Sequence, residues 1–257
     1  MKRIQRVRTQ WQEIEIWKSA DACEFRAEGA VHAWHHRSQF LTGLAWDLIA
    51  AGCLLNPNGP PRSVLMLGVA GGTSLRTLRH LLPDASLTGI ELDSALIALA
   101  RNHMDLDACG ADIIEADAWT WLLQNQRKFD VVIDDLYLAG QDDVFRPHCW
   151  DATRHALLMR AVAPGGHLAI NLVTGPGHRT IQSHTRRILR ENHAVVKSIT
   201  TPGGMNELIV AGEHVDGMHR LRGYQSAFPS KQDRHFWNIL SLRTLKARGT
   251  TSAKAAT

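Results

Sequence analysis

Residues 63–93 read SVLMLGVAGGTSLRTLRHLLPDASLTGIELD, and three features of this stretch decide the fold. Val64, Leu65, Met66 and Leu67 form a short unbroken apolar run, as a strand requires when both of its faces are covered. The run passes through Gly68, Val69, Ala70, Gly71 and Gly72 into a helical pattern that Pro83 stops. A second strand, 87–91, then ends on the acid Glu91. Strand, glycine turn, helix and strand make the unit of a parallel sheet flanked by helices, and such sheets bind ligands beyond the carboxyl ends of their strands.

The alternation continues downstream. A helix is predicted from Ser94, read as its N-cap, to about Met104. Strands over 111–115, 129–134 and 166–172 are separated by helices over 118–125 and 151–162. After a helix over 179–191, strands 194–199 and 206–211 are joined by Thr201, Pro202, Gly203 and Gly204, so short a link that the pair must be antiparallel. The fold class is therefore α/β, a doubly wound, mostly parallel, seven-stranded sheet. Upstream, Ile14, Ile16, Trp17, Phe25 and Val31 alternate as strands do around a turn at Glu28 and Gly29, which reads as a small N-terminal β lid. Residues 37–51 carry apolar positions at helical spacing. The expected division is a lid over 1–36, a ligand-binding domain over 37–225, and a C-terminal unit over 226–257. That last unit is read as an amphipathic helix through Phe236, Trp237, Ile239, Leu240 and Leu242, then a disordered tail over 249–257.

With 257 residues and 44% hydrophobic content the chain can bury a full core. Its basic first residues lead into no secretory signal, and no apolar run reaches the length of a membrane span, so a cytoplasmic protein without a membrane partner is expected. Cys23, Cys53, Cys109 and Cys149 form no CxxC pair, which speaks for reduced thiols over zinc. His32, His35 and His36 cluster beside Trp34, but no carboxylate or cysteine stands at ligand spacing and no metal is expected. The net charge is +4; residues 1–10 and 231–257 together carry +9, which leaves −5 for the body. Basic ends on an acidic body do not make a nucleic-acid surface, and none is expected as a partner.

The turn itself points to a nucleoside. Its glycines let backbone approach a ligand closely. A G-x-G-x-x-G pattern would need glycine at Ala70 and Thr73, so the pyrophosphate fingerprint fails. Glu91, about 20 residues on, can accept both ribose hydroxyl hydrogens. Asp117, next to Ala118 at the end of the third strand, can receive the exocyclic amine of adenine or cap the helix that follows. Trp119 and Trp121 can cover that base or pack in the core, and Asn171 can line the pocket or cap a helix.

The runs VLMLGVAGGTSLRTLRHLLPDASLTGIELD, EADAWTWL, FDVVIDDLYL and LMRAVAPGGHLAINLV, with EFRAEGAVH upstream, resemble the spermidine synthase-like branch of the S-adenosylmethionine-dependent (class I methyltransferase fold) family. The likeness covers residues from about 24 to 212. It implies a Rossmann-like methyltransferase fold with a β lid, frequent homodimers, and S-adenosyl-L-methionine or its decarboxylated form as cofactor. Gly68, Ala70, Gly71, Gly72, Glu91, Asp117, Ala118 and Asp134 are the implied cofactor-binding positions, with Glu91 on the ribose and Asp117 on the adenine side.

Three departures bear on the chemistry. The family often has glutamine where this chain has His32. Gly71 stands where aminopropyltransferases hold an aspartate that grips the cofactor's amine. Of two acids after the fourth strand, Asp134 is kept and the second is Tyr137, an unperturbed phenol being a weak base at neutral pH. Asp135 takes over only if the loop shifts, since neighbouring strand residues point to opposite faces. Asp134, Tyr137 and His32 are thus the expected catalytic residues, acting on a small-molecule acceptor. The expected activity is transfer of a methyl or other alkyl group, with polyamine aminopropyl transfer and non-catalytic nucleoside binding as alternatives.

Overall fold

The computed structural model describes residues 1–140, 144–148 and 150–245. Four antiparallel strands come first: β1 (Lys2–Arg8), β2 (Glu13–Lys18), β3 (Ala22–Ala27) and β4 (Ala30–His36). The β3–β4 hairpin turns where expected, with Glu28 and Gly29 both at positive φ. Helix α1 (Ala45–Cys53) leads into β5 (Ser63–Leu67), α2 (Thr73–Leu81), β6 (Ser86–Glu91), α3 (Ser94–His103), β7 (Asp112–Glu115), α4 (Ala118–Gln124) and β8 (Phe129–Asp134). A short hairpin, β9 (Leu138–Ala139) with β10 (Val144–Phe145), precedes α5 (Ala152–Ala161) and β11 (Val162–Val173). The chain then runs through α6 (Arg179–Asn192), β12 (Val195–Thr200), β13 (Asn206–Gly212), α7 (Met218–Gly223), α8 (Lys231–Asn238) and β14 (Ser241–Thr244).

The large sheet has the order β14-β12-β13-β11-β8-β5-β6-β7. Strands β11, β8, β5, β6 and β7 are mutually parallel, while β13 runs antiparallel to both β11 and β12. The winding departs in both directions from β5, so the gap beyond the carboxyl ends of β5 and β8 is the switch point at which such sheets bind ligands. The seven predicted strands are present, and β14 adds an eighth at the edge.

Strand parity divides the core in two. Val64 and Met66 of β5, with Val131 and Ile133 of β8, face a layer made of the lid residues Ile14 and Phe25 with α1, α2 and α3. Leu65, Leu67 and Val132 face the opposite layer, which includes Ala118, Leu122, Leu158 and Leu189 from α4, α5 and α6. The direction of every side chain at the ends of these strands follows from this division.

Several expectations change. The basic N-terminus is an edge strand of the lid sheet, in which Arg3 and Arg6 pair with Glu15 of β2. Helix α1 begins at Ala45, not near residue 37, because the preceding backbone is held by carboxylates. Asp47 accepts from the Thr42 and Gly43 N–H groups, and the fully buried Asp233 from those of Phe40 and Leu41. Asp93, not Ser94, caps α3, accepting from the Ala95 and Leu96 N–H groups. The C-terminal helix ends at Asn238, and residues 226–245 are part of the main domain, with Phe228, Trp237 and Leu240 in its core. Cys23, Cys53 and Cys109 are buried free thiols; Cys149 and the tail over 249–257 lie outside the described residues. Among the described residues no helix is long and apolar enough to cross a membrane.

Asp233 ties the last helix to the loop that leads from lid to core. Asp233→Ala leaves the Phe40 and Leu41 N–H groups buried without acceptors, and urea denaturation is expected to show a loss of about 2–4 kcal/mol. An unchanged midpoint would contradict this role.

Candidate active site

The carboxyl ends of β5, β6, β8 and β11, the lid, the start of α1 and the β12–β13 turn enclose a cavity of about 530 Å³. Gly68, Val69 and Ala70 form one wall. Gly68 adopts φ +84°, and a Cβ on it would overlap the carbonyl oxygen of Asp135, so glycine is demanded both by conformation and by the approach of β8. Ala70 sits at φ +49°, a region that side chains avoid. Its position is held by Glu91. One oxygen of that carboxylate accepts from the Val69 and Ala70 N–H groups at 3.0 and 2.9 Å, and the other from Leu92 and Asp93 at 2.8 and 3.1 Å. Glu91 lies in the cavity wall as expected, and it also locks the turn to the end of β6.

The other turn glycines serve the lid. Gly71 lies outside the cavity lining, and a Cβ there would overlap that of Ala33 on β4. Gly72, at φ +80°, starts α2 beside Leu106. Both are expected to hold cofactor; in the structure neither is part of the lining, and they let the lid and the segment after α3 close onto the turn. Asp117 and Ala118 also lie outside the lining. Asp117 caps α4, its Oδ1 accepting from the Thr120 N–H and hydroxyl, both at 2.8 Å. Trp119 and Trp121 pack against the core.

The two acids at the end of β8 have opposite fates. Asp134 shares the parity of Val132 and turns into the layer beneath α5, where it is 1% exposed. Arg146 Nη1 donates to its Oδ1 at 2.7 Å and Trp150 Nε1 to its Oδ2 at 2.9 Å. Asp134 is thus a buried structural anion and not a cavity residue, contrary to expectation. Asp135 has the parity of Ile133 and lines the cavity. Its Oδ1 accepts from Asn171 Nδ2 at 2.7 Å. Burial pushes its carboxyl up to about 7, opposed by the Asn171 hydrogen bond and the Arg146 charge and reinforced by the negative charges of Asp134 and Glu91.

Tyr137 lines the cavity, but its hydroxyl is occupied: it donates to the Asn171 carbonyl at 3.1 Å and accepts from the Val173 N–H at 3.0 Å. The Arg146 guanidinium lies over its ring at 4.6 Å, and burial raises its pKa further. Tyr137 is a brace for β11, not a base. His32 lines the cavity from the lid, and burial lowers its pKa, so the ring is neutral. Its Nε2 is buried without a hydrogen-bond partner among the described residues, as are Gln12 Oε1 and Asp93 Oδ2. All three residues line this cavity. Sequence reasoning missed Asp93 and Gln12.

The lining thus brings together Gly68, Ala70, Glu91, Asp135, Tyr137, Asn171 and His32. Its charged members among the described residues are Glu91, Asp93 and Asp135, all acidic, and it contains no lysine or arginine. A nucleoside fits this donor set: buried polar atoms lacking partners are available for its hydroxyls and amines, and three carboxylates favour a cationic ligand.

No family model matches the chain. It is 29% identical over 133 residues to a probable polyamine aminopropyl transferase of Bifidobacterium longum, covering 51% of this chain and 28% of that protein. It is 31% identical over 121 residues to polyamine aminopropyltransferase 1 of Streptomyces coelicolor, covering 44% of this chain and 22% of the relative. The matched segments thus span about a quarter of these relatives' lengths. A probable spermidine synthase from Corynebacterium glutamicum superposes with a TM-score of 0.71 at 16% identity, over 93% of this chain and 90% of that one. The resemblance to the spermidine synthase-like branch holds in sequence, and the fold is of that type.

Asp135 is protonated below about pH 4 in both folded and unfolded chains; between about 4 and 7 only the unfolded chain ionises, so the folded state loses stability as pH rises through that window. Asp135→Asn removes the penalty. Its stability advantage over the parent is expected to be near zero at pH 4 and to grow to about 1–3 kcal/mol at pH 8 by thermal denaturation. An advantage independent of pH would contradict the raised carboxyl. Gly71→Asp, which restores the family's acid, is expected to destabilise by about 2 kcal/mol or more through the clash with Ala33, and unaltered stability would refute the lid-packing role.

Proposed function

We propose that this chain transfers an aminopropyl group from decarboxylated S-adenosylmethionine to a small-molecule primary amine, the type of reaction its curated relatives are named for. The observation that carries this reading is Asp135, a cavity-lining carboxyl pushed up to about 7. Amines are protonated at neutral pH, and attack on carbon requires a proton to be removed beside the reacting nitrogen. A base poised near neutrality suits that task. The acidic lining supports the decarboxylated donor, because the full cofactor's carboxylate would meet three acids and no described lysine or arginine.

When bound, the donor supplies a carbon activated by an adjacent sulfonium. The wall from Gly68 to Ala70, with Asp93, would hold its nucleoside, and Glu91, occupied by four backbone N–H groups, fixes the shape of that wall. Asp135 takes the proton as the amine's lone pair forms the new C–N bond; the C–S bond breaks and its electron pair leaves with sulfur as methylthioadenosine. Asn171, itself bonded by Asn206 Nδ2, keeps the Asp135 carboxylate oriented. The lid residues Gln12 and His32 complete the cavity lining, and proximity and orientation of the two reactants lower most of the barrier.

Methyl transfer from S-adenosylmethionine is the second reading. It is favoured by the 28% identity over 125 residues to a trans-aconitate 2-methyltransferase of Acidovorax, covering 48% of this chain and 43% of that protein.

Incubation with decarboxylated S-adenosylmethionine and a panel of primary amines is expected to release methylthioadenosine. Asp135→Asn should lower kcat/KM by about 10²–10⁴-fold. For the parent, the slope of log kcat/KM against pH should fall by one near pH 7. Adenosylhomocysteine formed from the full cofactor, with no methylthioadenosine from the decarboxylated one, would replace this reading by the second.

A further inference from the structure

Exposed large apolar side chains among the described residues are few, and three of them meet at the mouth of the cavity. Trp11 is 40% exposed, Leu44 49% and Met205 67%, and all three line it. They come from distant parts of the chain: the β1–β2 turn, the residue before α1, and the β12–β13 turn. None sits on loose backbone. Thr9 Oγ1 accepts from the Trp11 and Gln12 N–H groups, Asp47 holds the Thr42 and Gly43 N–H groups just before Leu44, and the Met205 carbonyl accepts from Thr174 N–H at 2.7 Å. Three separately fixed turns thus present apolar surface to one opening, and such convergence marks a binding site.

The surface inside the mouth continues in kind. Trp46, Leu48 and Leu138 line the path inward, and the carboxylates stand at the strand ends, where Glu91 is saturated by four backbone N–H groups and Asp93 caps α3. Asp93 caps through Oδ1 alone and keeps Oδ2 without a partner, which the donor's own amine can take, and Asp135 is then the described carboxylate left for the acceptor amine. A second ammonium on the same acceptor would lie along tryptophan, leucine and methionine with no described anion beside it, giving up part of its hydration to apolar surface with no ion pair in return. A hydrocarbon tail in the same place gains with every methylene it buries.

Resting on the amine-transfer reading, we infer that the acceptor is a monoamine with an apolar body, an alkyl or arylalkyl amine whose nitrogen reaches Asp135 while its hydrocarbon part occupies the Trp11–Leu44–Met205 mouth. A di- or polyamine is the poorer substrate.

The test uses the full chain, decarboxylated S-adenosylmethionine as donor and methylthioadenosine release as readout. Straight-chain monoamines from propylamine to octylamine are compared with α,ω-diamines of equal length. We expect kcat/KM to climb about threefold per methylene along the monoamines, and each longer diamine to fall at least tenfold below its monoamine partner. Met205→Asp sets a carboxylate at an exposed rim position where it cannot disturb the core, and should shift the diamine-to-monoamine ratio at least tenfold towards the diamine. Diamines used as well as or better than monoamines, or a monoamine series flat in chain length, would overturn the acceptor inference while leaving aminopropyl transfer standing. Absence of methylthioadenosine with every amine would overturn both.

Discussion

The turn that follows β5 has almost no freedom, and the site is built around that constraint. Glu91, at the end of the neighbouring strand, ties down four backbone N–H groups, two of them in the turn. Asp135, at the end of the strand on the other side, crowds Gly68 so closely that no side chain fits there. Ala70 is held in a left-handed conformation between them. Ala33 of the lid packs where Gly71 would otherwise carry a side chain. Strand ends, turn and lid are thereby fixed relative to one another, and the cavity is the space that they leave. Preorganisation of this kind lets a site orient reactants without reordering itself.

Within that frame, one register position separates structure from chemistry. Asp134 and Asp135 are neighbours, and the pleat sends them to opposite faces. Asp134 holds Arg146 and Trp150 and so fixes the segment that follows β8. Asp135 is left in the cavity, where burial pushes its carboxyl up to about 7 against the Asn171 hydrogen bond and the Arg146 charge. The family's second acid is Tyr137 here, and its hydroxyl has become a brace between β11 and the β8 loop. The carboxylate that lines the cavity is Asp135, beside the Asp134 position that the resemblance implied.

The sheet and the glycine turn that walls the cavity were legible because their signals are local. Apolar runs, a glycine turn and an acid at a strand end follow from backbone conformation and burial, which neighbouring residues determine. What escaped depended on partners distant in sequence. Both faces of β8 are buried, so no polar alternation reveals which of its two terminal acids faces the site; only Arg146 and Trp150, 12 and 16 residues on, reveal it. The strands β1 and β14 were missed because edge strands bury few side chains and carry charge, which makes KRIQRVR look like a tail. Residues 37–44 have helical spacing, but Asp47 and Asp233 capture their N–H groups. Asp117 had two readings, and the cap is the one its hydrogen bonds support.

The central claim is that Asp135, not Asp134, faces the reacting amine. A crystal structure of the chain with methylthioadenosine and an amine bound tests it most directly. The account predicts the amine nitrogen at about 2.6–3.2 Å from an Asp135 carboxylate oxygen, with Asp134 still bonded to Arg146 and Trp150. An amine seated on Asp134, with Asp135 turned away from the cavity, would contradict it.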